Sequence, residues 1–188
     1  MREIIILALI LLFGSAPAAW AVDPATAIGQ ANSAYNRSDY AAAIVHLREA
    51  TEGVWNKAPL TVRNVTLVKD QPQGYGRYTP RSGIVFEAID PVLLYCEPVG
   101  YTVKKTGSLY RLSMSAGFSV VDDKDRVLGG QPNFGQYKMD SRVFNTSFMM
   151  FFTFSLKGLP SGKYKLKVTL RDNNSDKKTS FEQPFSVR

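Results

Sequence analysis

From about residue 60 onward, apolar and polar side chains alternate along the chain with a period of two. In the clearest stretch the apolar positions are Tyr110, Leu112, Met114, Ala116, Phe118 and Val120. Such alternation is typical of an antiparallel strand with one buried face and one wet face. Alternation or a short apolar run predicts further strands at 60–69, 84–88, 92–97, 147–156, 164–170 and 179–187, and one beginning at 126. Seven or eight short strands predict a mainly β domain over residues 59–188, built as an antiparallel two-sheet β-sandwich.

The first of these strands has an irregular pattern. Its apolar phase slips between Val62 and Val65, which predicts a β-bulge near residues 63–64. Runs rich in Asp and Asn at 122–125 and 172–178 separate later strands, and these residue types favour hairpin turns.

Residues 22–58 have a helical pattern instead, with alanines recurring through the segment. Pro24 suits the first turn of a helix, and Asp23 suits its cap. The polar run 36–39 predicts a turn, after which a second helix runs to about Glu52 and Gly53 ends it. Its apolar stripe consists of Tyr40, Ala43, Ile44, Leu47 and Ala50. A short α-helical hairpin is therefore expected to precede the sandwich.

Within this hairpin, residues 31–44 resemble the middle of a tetratricopeptide repeat. Ala31 stands at the small position of the first helix, Tyr35 at an aromatic position, and residues 38–40 at the turn. The chain departs from the pattern at Ala27 and Trp55. The resemblance covers a single repeat, and such repeats bury their apolar faces by stacking on neighbours. It therefore implies a hairpin that needs support from the following domain or from a partner.

A second resemblance lies before the strand at 164–170. The segment 159–164, with sequence LPSGKY, is similar to the tyrosine corner of immunoglobulin-like and fibronectin-type sandwiches. The resemblance implies that the Tyr164 hydroxyl bonds back to the preceding loop. It also implies an immunoglobulin-like architecture for residues 59–188, although the cysteine pair of antibody domains is missing.

The first 21 residues have the features of a cleavable signal peptide. Arg2 is followed by an unbroken apolar run from residue 4 to residue 13, then by helix-breaking residues and the small-x-small pattern of residues 19–21. We expect cleavage after Ala21 and a mature bacterial protein that is periplasmic or secreted. No later apolar stretch has the length of about 20 residues that a membrane-spanning helix needs.

Charge and cysteine content narrow the expected partners. The formal net charge is +7, which favours anionic partners. For an exported protein these are an envelope protein or an anionic polysaccharide, and nucleic acid is not expected. Cys96 is the only cysteine, so no disulfide forms within the chain, and its position on an apolar strand predicts burial.

Residues suited to catalysis are sparse, which argues against most enzymes. His46 is the only histidine and lies beside the apolar stripe of the second helix, so a histidine-based metal site is not expected. The acidic runs at 122–125 and 172–176 lack features of a calcium loop. We expect no cofactor and no metal. A carboxylate-based hydrolase using two of Glu87, Asp90 and Glu97 is the enzymatic alternative.

Three groups of residues are candidates for binding. The loop 71–81 carries aromatic and basic side chains of the kind that anchor recognition surfaces, namely Tyr75, Arg77, Tyr78 and Arg81. A basic stripe on one strand face consists of Lys163, Lys165 and Lys167. On the strand 147–156, Met149 and Phe151 are expected to face outward, where two large apolar side chains need a cover. The helical hairpin or another protein is expected to supply it.

These features favour a non-enzymatic exported binding module of the bacterial envelope, with an anionic, carbohydrate or protein partner. The first alternative is a structural or assembly accessory that acts through the helical hairpin and the Phe/Met-rich strand. The carboxylate-based hydrolase is the second alternative.

Overall fold

The computed structural model describes residues 23–155 and 157–188, and the expected signal peptide lies outside them. The described chain is mainly β, with two helices followed by nine strands. It divides into two compact units, one ending at Ala50 and the other, which we call the β unit, spanning Thr51–Arg188. The division falls inside the second helix, whereas the sequence predicted a boundary after residue 58.

Helix α1 spans Pro24–Asn36 and helix α2 spans Tyr40–Lys57. The Asp23 carboxylate accepts hydrogen bonds from the Ala25 and Thr26 amides, which caps α1 as predicted. Asp39 caps α2 in the same way through the Ala42 amide. Within residues 23–50, the buried side chains are all alanines, namely Ala27, Ala31, Ala34, Ala43 and Ala50.

The last turn of α2 corrects the predicted end of this helix. The helix does not end at Gly53 but continues to Lys57. In the β unit, the Asn56 side chain accepts a hydrogen bond from the Val103 amide, and Lys177 Nζ donates to the Asn56 carbonyl at 2.7 Å. The Trp55 ring meets the Tyr101 ring edge-on at 5.1 Å. The Lys177 bond satisfies one of the carbonyls that a helix end leaves unpaired, and the side-chain contacts hold the last turn, so the helix continues past Gly53.

The strands form a three-stranded sheet and a six-stranded sheet. The strands are β1 (Thr61–Leu67), β2 (Val85–Phe86), β3 (Val92–Val99), β4 (Lys104–Thr106), β5 (Leu109–Asp122), β6 (Val127–Ser141), β7 (Met150–Phe154), β8 (Gly162–Asp172) and β9 (Lys178–Val187). The smaller sheet has the order β1-β3-β7 and is antiparallel throughout.

The larger sheet runs β2-β9-β8-β5, and β5 has partners along both edges. Strand β6 pairs with almost all of one edge, while β8 and the short β4 pair with different parts of the other edge. All pairs are antiparallel except β2 with β9, which is parallel. The sequence predicted neither β4 nor the length of β6, because both have mostly exposed side chains and little apolar alternation.

Both sheets contribute side chains to one hydrophobic core. The smaller sheet supplies residues such as Leu94, Phe152 and Phe154, and the larger sheet supplies residues such as Met114 and Leu166. Each of these side chains is at most 2% exposed. The mainly β character and the two-sheet division are therefore confirmed.

Two local predictions about the strands are also confirmed. The pairing of β1 with β3 shifts register between Arg63 and Thr66, and Asn64 has a φ of 51° there, a left-handed conformation that Asn tolerates. The Tyr164 hydroxyl donates to the Pro160 carbonyl at 2.7 Å, which is the bond that the tyrosine-corner resemblance implied.

Candidate functional site

The loop that carries the predicted Tyr and Arg residues is itself hydrogen-bonded as an irregular hairpin. Its base is a bridge between Val68 and Pro80, followed by a bond from the Lys69 amide to the Thr79 carbonyl. Nearer the tip, the Gln73 amide donates to the Arg77 carbonyl at 2.9 Å. Residues 74–77 form the turn. The loop backbone is therefore held at several points. We call residues 69–81 the binding loop, because this segment carries the predicted binding residues.

The binding loop covers part of the smaller sheet on the face turned away from the core, which we call the outer face. Tyr95 on the central strand β3 belongs to this face, yet none of its surface is exposed. The Tyr78 ring lies over the Tyr95 ring with centroids 4.2 Å apart, and the Gly76 amide donates to the Tyr95 hydroxyl at 2.8 Å. Tyr78 is therefore partly committed to packing on the sheet.

A buried polar network continues from Tyr95 along the same strand. The Tyr95 hydroxyl donates to Glu97 Oε1 at 2.6 Å, and the Asn64 side-chain amide donates to Glu97 Oε2 at 2.8 Å. Glu97 is only 3% exposed. Burial, followed by the hydrogen bond to Glu97, raises the pKa of Tyr95 far above its usual value, so its hydroxyl keeps its proton at physiological pH.

The two loop arginines have different roles. Arg81 donates to the Val85 carbonyl at 2.9 Å and stacks over the Phe86 ring at 4.2 Å, so it anchors the end of the loop. Arg77 donates to the Gln73 side chain at 2.8 Å and remains exposed near the tip. Arg77 is therefore available to a ligand, while Arg81 is largely engaged within the fold.

A surface cleft of about 470 Å³ lies along the loop. Its lining is predominantly polar and consists of Asp70, Gln71, Gln73, Arg77, Tyr78 and Thr79. The sequence predicted Arg77 and Tyr78 but missed the others, because isolated Asp, Gln and Thr residues in a loop carry no pattern. Tyr75, at the loop tip, is 38% exposed.

The predicted basic stripe on β8 is largely compensated by acidic neighbours. Lys165 Nζ lies 2.7 Å from Asp125 and 3.7 Å from Glu182. Lys167 approaches the same two carboxylates at 3.7 and 3.1 Å. Its hydrogen bond to Asp125 raises the pKa of Lys165 above the usual value. Lys165 and Lys167 thus form a network of ion pairs with these two carboxylates, and Lys163 borders a second cleft together with Lys165.

Met149 and Phe151 have half-buried side chains, and Phe151 lies on the outer face as predicted. Strand register places Phe151 directly opposite Tyr95. Residues directly opposite in an antiparallel pair project from the same face of the sheet. The outer face thus brings the Phe/Met-rich strand close to the binding loop. The expected cover from the helical hairpin stays a prediction.

The three carboxylates of the hydrolase alternative do not form one group. Glu87 follows β2 in the larger sheet and pairs with Arg188 at 2.6 Å, whereas Glu97 lies on β3 in the smaller sheet. The sequence placed them on neighbouring strands because they are close along the chain, but the chain changes sheet between them. Asp90 lies in the turn, where its amide donates to the Glu87 carbonyl.

The acidic residues of the two hairpin turns also form hydrogen bonds within the fold. Asp122 accepts from the Lys124 and Arg126 amides, and Asp172 accepts from the Thr102 and Asn174 amides. His46 pairs with Glu49 at 3.0 Å on α2. Within residues 23–155 and 157–188, no cluster of three or more His, Cys, Asp or Glu side chains has the arrangement of a metal site.

Comparisons with known proteins give similarity to solved structures but not to any protein family. No protein-family model matches the chain, and no curated protein sequence matches it. Among solved structures, it is similar to the alkylpurine DNA glycosylase AlkC of Pseudomonas fluorescens bound to DNA containing an abasic site analog. That match has a TM-score of 0.36 and 7% identity, covering 80% of this chain and 39% of the glycosylase chain. The chain therefore spans well under half the length of this neighbour.

Two expectations from the sequence are corrected by this match. The neighbour is an enzyme and it is bound to DNA, so the expectations of a non-enzymatic protein and of no nucleic-acid partner are both withdrawn. At this TM-score the similarity carries no argument for glycosylase activity or for DNA binding in this chain.

In the part of the chain that the structure describes, neither helix combines the length and the hydropathy needed to cross a bilayer.

Proposed function

We propose that this chain is an exported binding module and that its contact surface is the cleft of the binding loop. The observation that carries the proposal is a polar, open cleft beside aromatic residues whose loop backbone is already hydrogen-bonded into place. Binding sites are typically concave and carry a few well-positioned polar groups. The binding loop has both properties.

The chemistry of the cleft favours a carbohydrate as the ligand. Gln71, Gln73 and Thr79 supply neutral donors and acceptors that match sugar hydroxyl groups. Asp70 and Arg77 add one charge of each sign, so the lining has no strong preference for an anion or a cation. Tyr75 exposes part of its ring at the tip, and an aromatic ring offers an apolar face with a polar edge, suited to packing on a sugar ring.

We also propose an immunoglobulin-like fold for the β unit. The proposal is supported by strand order, since β1-β3-β7 opposite β9-β8-β5-β6 corresponds to strands A-B-E opposite G-F-C-C′ of that architecture. It is further supported by the bond from Tyr164 at the start of β8, the counterpart of strand F. In this assignment the binding loop follows strand A.

Co-sedimentation with insoluble polysaccharides tests the proposed ligand class. Purified peptidoglycan sacculi, chitin and cellulose are each mixed with the protein, and the bound fraction is measured. We expect the wild type to sediment with at least one of them, and Tyr75→Ala and Gln73→Ala to reduce the bound fraction about tenfold or more, as the loss of an anchoring contact does. Gln131→Ala, which changes an exposed glutamine of β6 that does not line the cleft, is the matched control.

Two results would contradict the proposal. One is the absence of sedimentation with all three polysaccharides, and the other is sedimentation that Tyr75→Ala and Gln73→Ala leave unchanged. A labelled DNA duplex in the same assay reports whether a nucleic acid is retained instead. Export is tested separately by the N-terminal sequence of the protein recovered from the envelope, which we expect to begin at Val22.

A structural or assembly role is a second candidate. It is favoured by several large apolar side chains on α1 and α2 that are about half exposed, namely Ile28, Ile44 and Val45. Cross-linking in the envelope from these positions distinguishes the roles, because a partner protein attached there supports assembly rather than polysaccharide binding.

A further inference from the structure

We propose that Tyr95, which lies beneath the binding loop, is a positioning residue for ligand recognition. It would hold the loop tip in its binding conformation without touching the ligand. This inference rests on the proposed function, since it assigns a role to a residue behind the same cleft. It goes beyond that function because it concerns the Tyr95–Glu97–Asn64 network, and none of these three residues lines the cleft.

The base of the network is rigid because it stands on the central strand of the smaller sheet. Strand β3 is paired with β1 on one edge and with β7 on the other. Tyr95 is fully buried, and its ring is clamped by the Tyr78 ring at a centroid distance of 4.2 Å. A tyrosine held in this way has little freedom to move its hydroxyl.

The direction of each hydrogen bond in the network follows from the chemistry of the groups. The Tyr95 hydroxyl donates a hydrogen bond to Glu97 Oε1. Its oxygen is then left to accept from the Gly76 amide, which only donates. The Asn64 side chain donates to the other oxygen of Glu97 and fixes the orientation of the carboxylate. The hydrogen bonds therefore run in one direction, from the Gly76 amide at the loop tip through the Tyr95 hydroxyl to Glu97 in the sheet.

The residue held by this network lies between two side chains of the contact surface. Gly76 has a φ of 67° and separates Tyr75 from Arg77. With the Gly76 amide fixed, the backbone orientation of both neighbours is fixed before a ligand arrives. Pre-organisation of this kind raises affinity because less conformational freedom is lost on binding.

The test compares Tyr95→Phe with Tyr164→Phe. Each substitution removes one tyrosine hydroxyl that bonds to the backbone, at 2.8 Å from the Gly76 amide in one case and 2.7 Å from the Pro160 carbonyl in the other. Each keeps the aromatic ring. Tyr164 is a matched control, since it is also buried but lies at the start of β8 rather than beneath the binding loop.

Three quantities are measured on both variants: thermal stability, hydrogen exchange at Gly76, and sedimentation with sacculi, chitin and cellulose. We expect both variants to lose some stability. Only Tyr95→Phe should accelerate exchange at Gly76, by about tenfold for the loss of one net hydrogen bond, and weaken sedimentation. Glu97→Gln keeps an acceptor oxygen for Tyr95, so we expect its Gly76 exchange and its sedimentation to remain nearer the wild type.

The outcomes separate this inference from the proposed function. Unchanged exchange at Gly76 in Tyr95→Phe overturns the positioning role, even if Tyr75→Ala still abolishes sedimentation. Faster exchange without weaker sedimentation also overturns it, since the loop conformation then does not matter for binding. If the wild type binds none of the three polysaccharides, the proposed function fails, and the role of Tyr95 in recognition fails with it.

Discussion

At the scale of single residues, a buried aspartate ends each of two strands that lead into a hairpin turn. Asp122 is the last residue of β5 and Asp172 the last residue of β8. Each turns its carboxylate back to accept amides of the turn that follows. Both are less than 8% exposed. These acidic positions thus belong to turn formation, for which Asp is favoured by its short, accepting side chain.

The Asp122 carboxylate is expected to make stability depend on pH. Burial would raise its pKa, but hydrogen bonds from Arg126 and Lys124 outweigh that effect and hold the pKa below its usual value. Because the folded-state pKa lies below the unfolded value of about 3.9, the stabilisation is present above that pH. It is lost as pH falls through the folded-state pKa.

Asp122→Asn tests this dependence. The variant keeps an acceptor oxygen but loses the charge that faces Arg126. We expect it to melt at a lower temperature than the wild type at pH 7 and the two melting temperatures to converge as the pH falls below 4. A difference that stays constant between pH 7 and pH 2.5 would contradict this expectation. Asp123→Asn, on an exposed neighbour, is the control.

Cys96 is expected to be chemically inert in the folded protein. Its side chain is fully buried in the core, and burial, followed by the charge of Glu97, raises the pKa of its thiol to about 12. Since the thiolate is the reactive form, labelling by a thiol reagent at pH 8 should be very slow in native conditions and rapid in guanidinium. Rapid labelling of the native protein would show that the strand β3 opens far more often than a core strand should.

Residue burial could be predicted from the sequence only in part. The inward set on β7 follows from alternation alone, and Cys96 follows from its place on an apolar strand. Tyr95 could not be predicted as buried, because it occupies the outer face and is covered by a loop nearly twenty residues away along the chain. Glu97 is buried on the same face, where its partners are Tyr95 and Asn64. Local alternation carries no information about such a cover.

At the scale of elements, α1 contains an intrinsic weakness. Gly29 lies in the interior of this helix, it is exposed, and a Cβ atom built there would meet nothing within 4 Å. Glycine in a helix interior costs about 0.8–1 kcal/mol relative to alanine.

Gly29→Ala is therefore expected to stabilise α1, with a rise in helicity by circular dichroism and slower amide exchange in residues 24–36. The opposite case is Gly117 in β5, where an added Cβ would collide with the Pro132 backbone of β6. Gly117→Ala should destabilise the β unit. If both substitutions changed stability in the same direction and by the same amount, the backbone preference of glycine, and not the space around each position, would determine both effects.

Features that depend on neighbouring residues in the sequence could be predicted. Features that depend on contacts with distant residues could not. The N-terminal cap of α1 and the bulge of β1 depend on local residues, Asp23 and Asn64 respectively. The extension of α2 to Lys57 depends instead on Val103 and Lys177, which are distant in sequence. Strand β4 likewise exists only because it pairs with the start of β5.

At the scale of the β unit, the two sheets share one core and are expected to unfold together. Phe152 in β7 is 1% exposed, and its ring contacts Phe134 and Tyr137 of the larger sheet as well as Phe154 of its own strand. Truncation of such a side chain to alanine typically costs about 3–5 kcal/mol. A cost of this size is a large fraction of the stability of an ordinary domain.

Phe152→Ala should therefore accelerate amide exchange in both sheets, and Phe151→Ala should not. The two positions are adjacent on β7, but Phe151 points to the outer face and is only half buried, so its loss leaves no core cavity. Protection is compared at Leu94 in the smaller sheet and at Leu166 and Val168 in the larger. If the sheets share one core, Phe152→Ala lowers protection at all three by the same factor. A loss confined to Leu94 would mean that the larger sheet is stable by itself, and the smaller sheet with its binding loop would then be a separately folding layer.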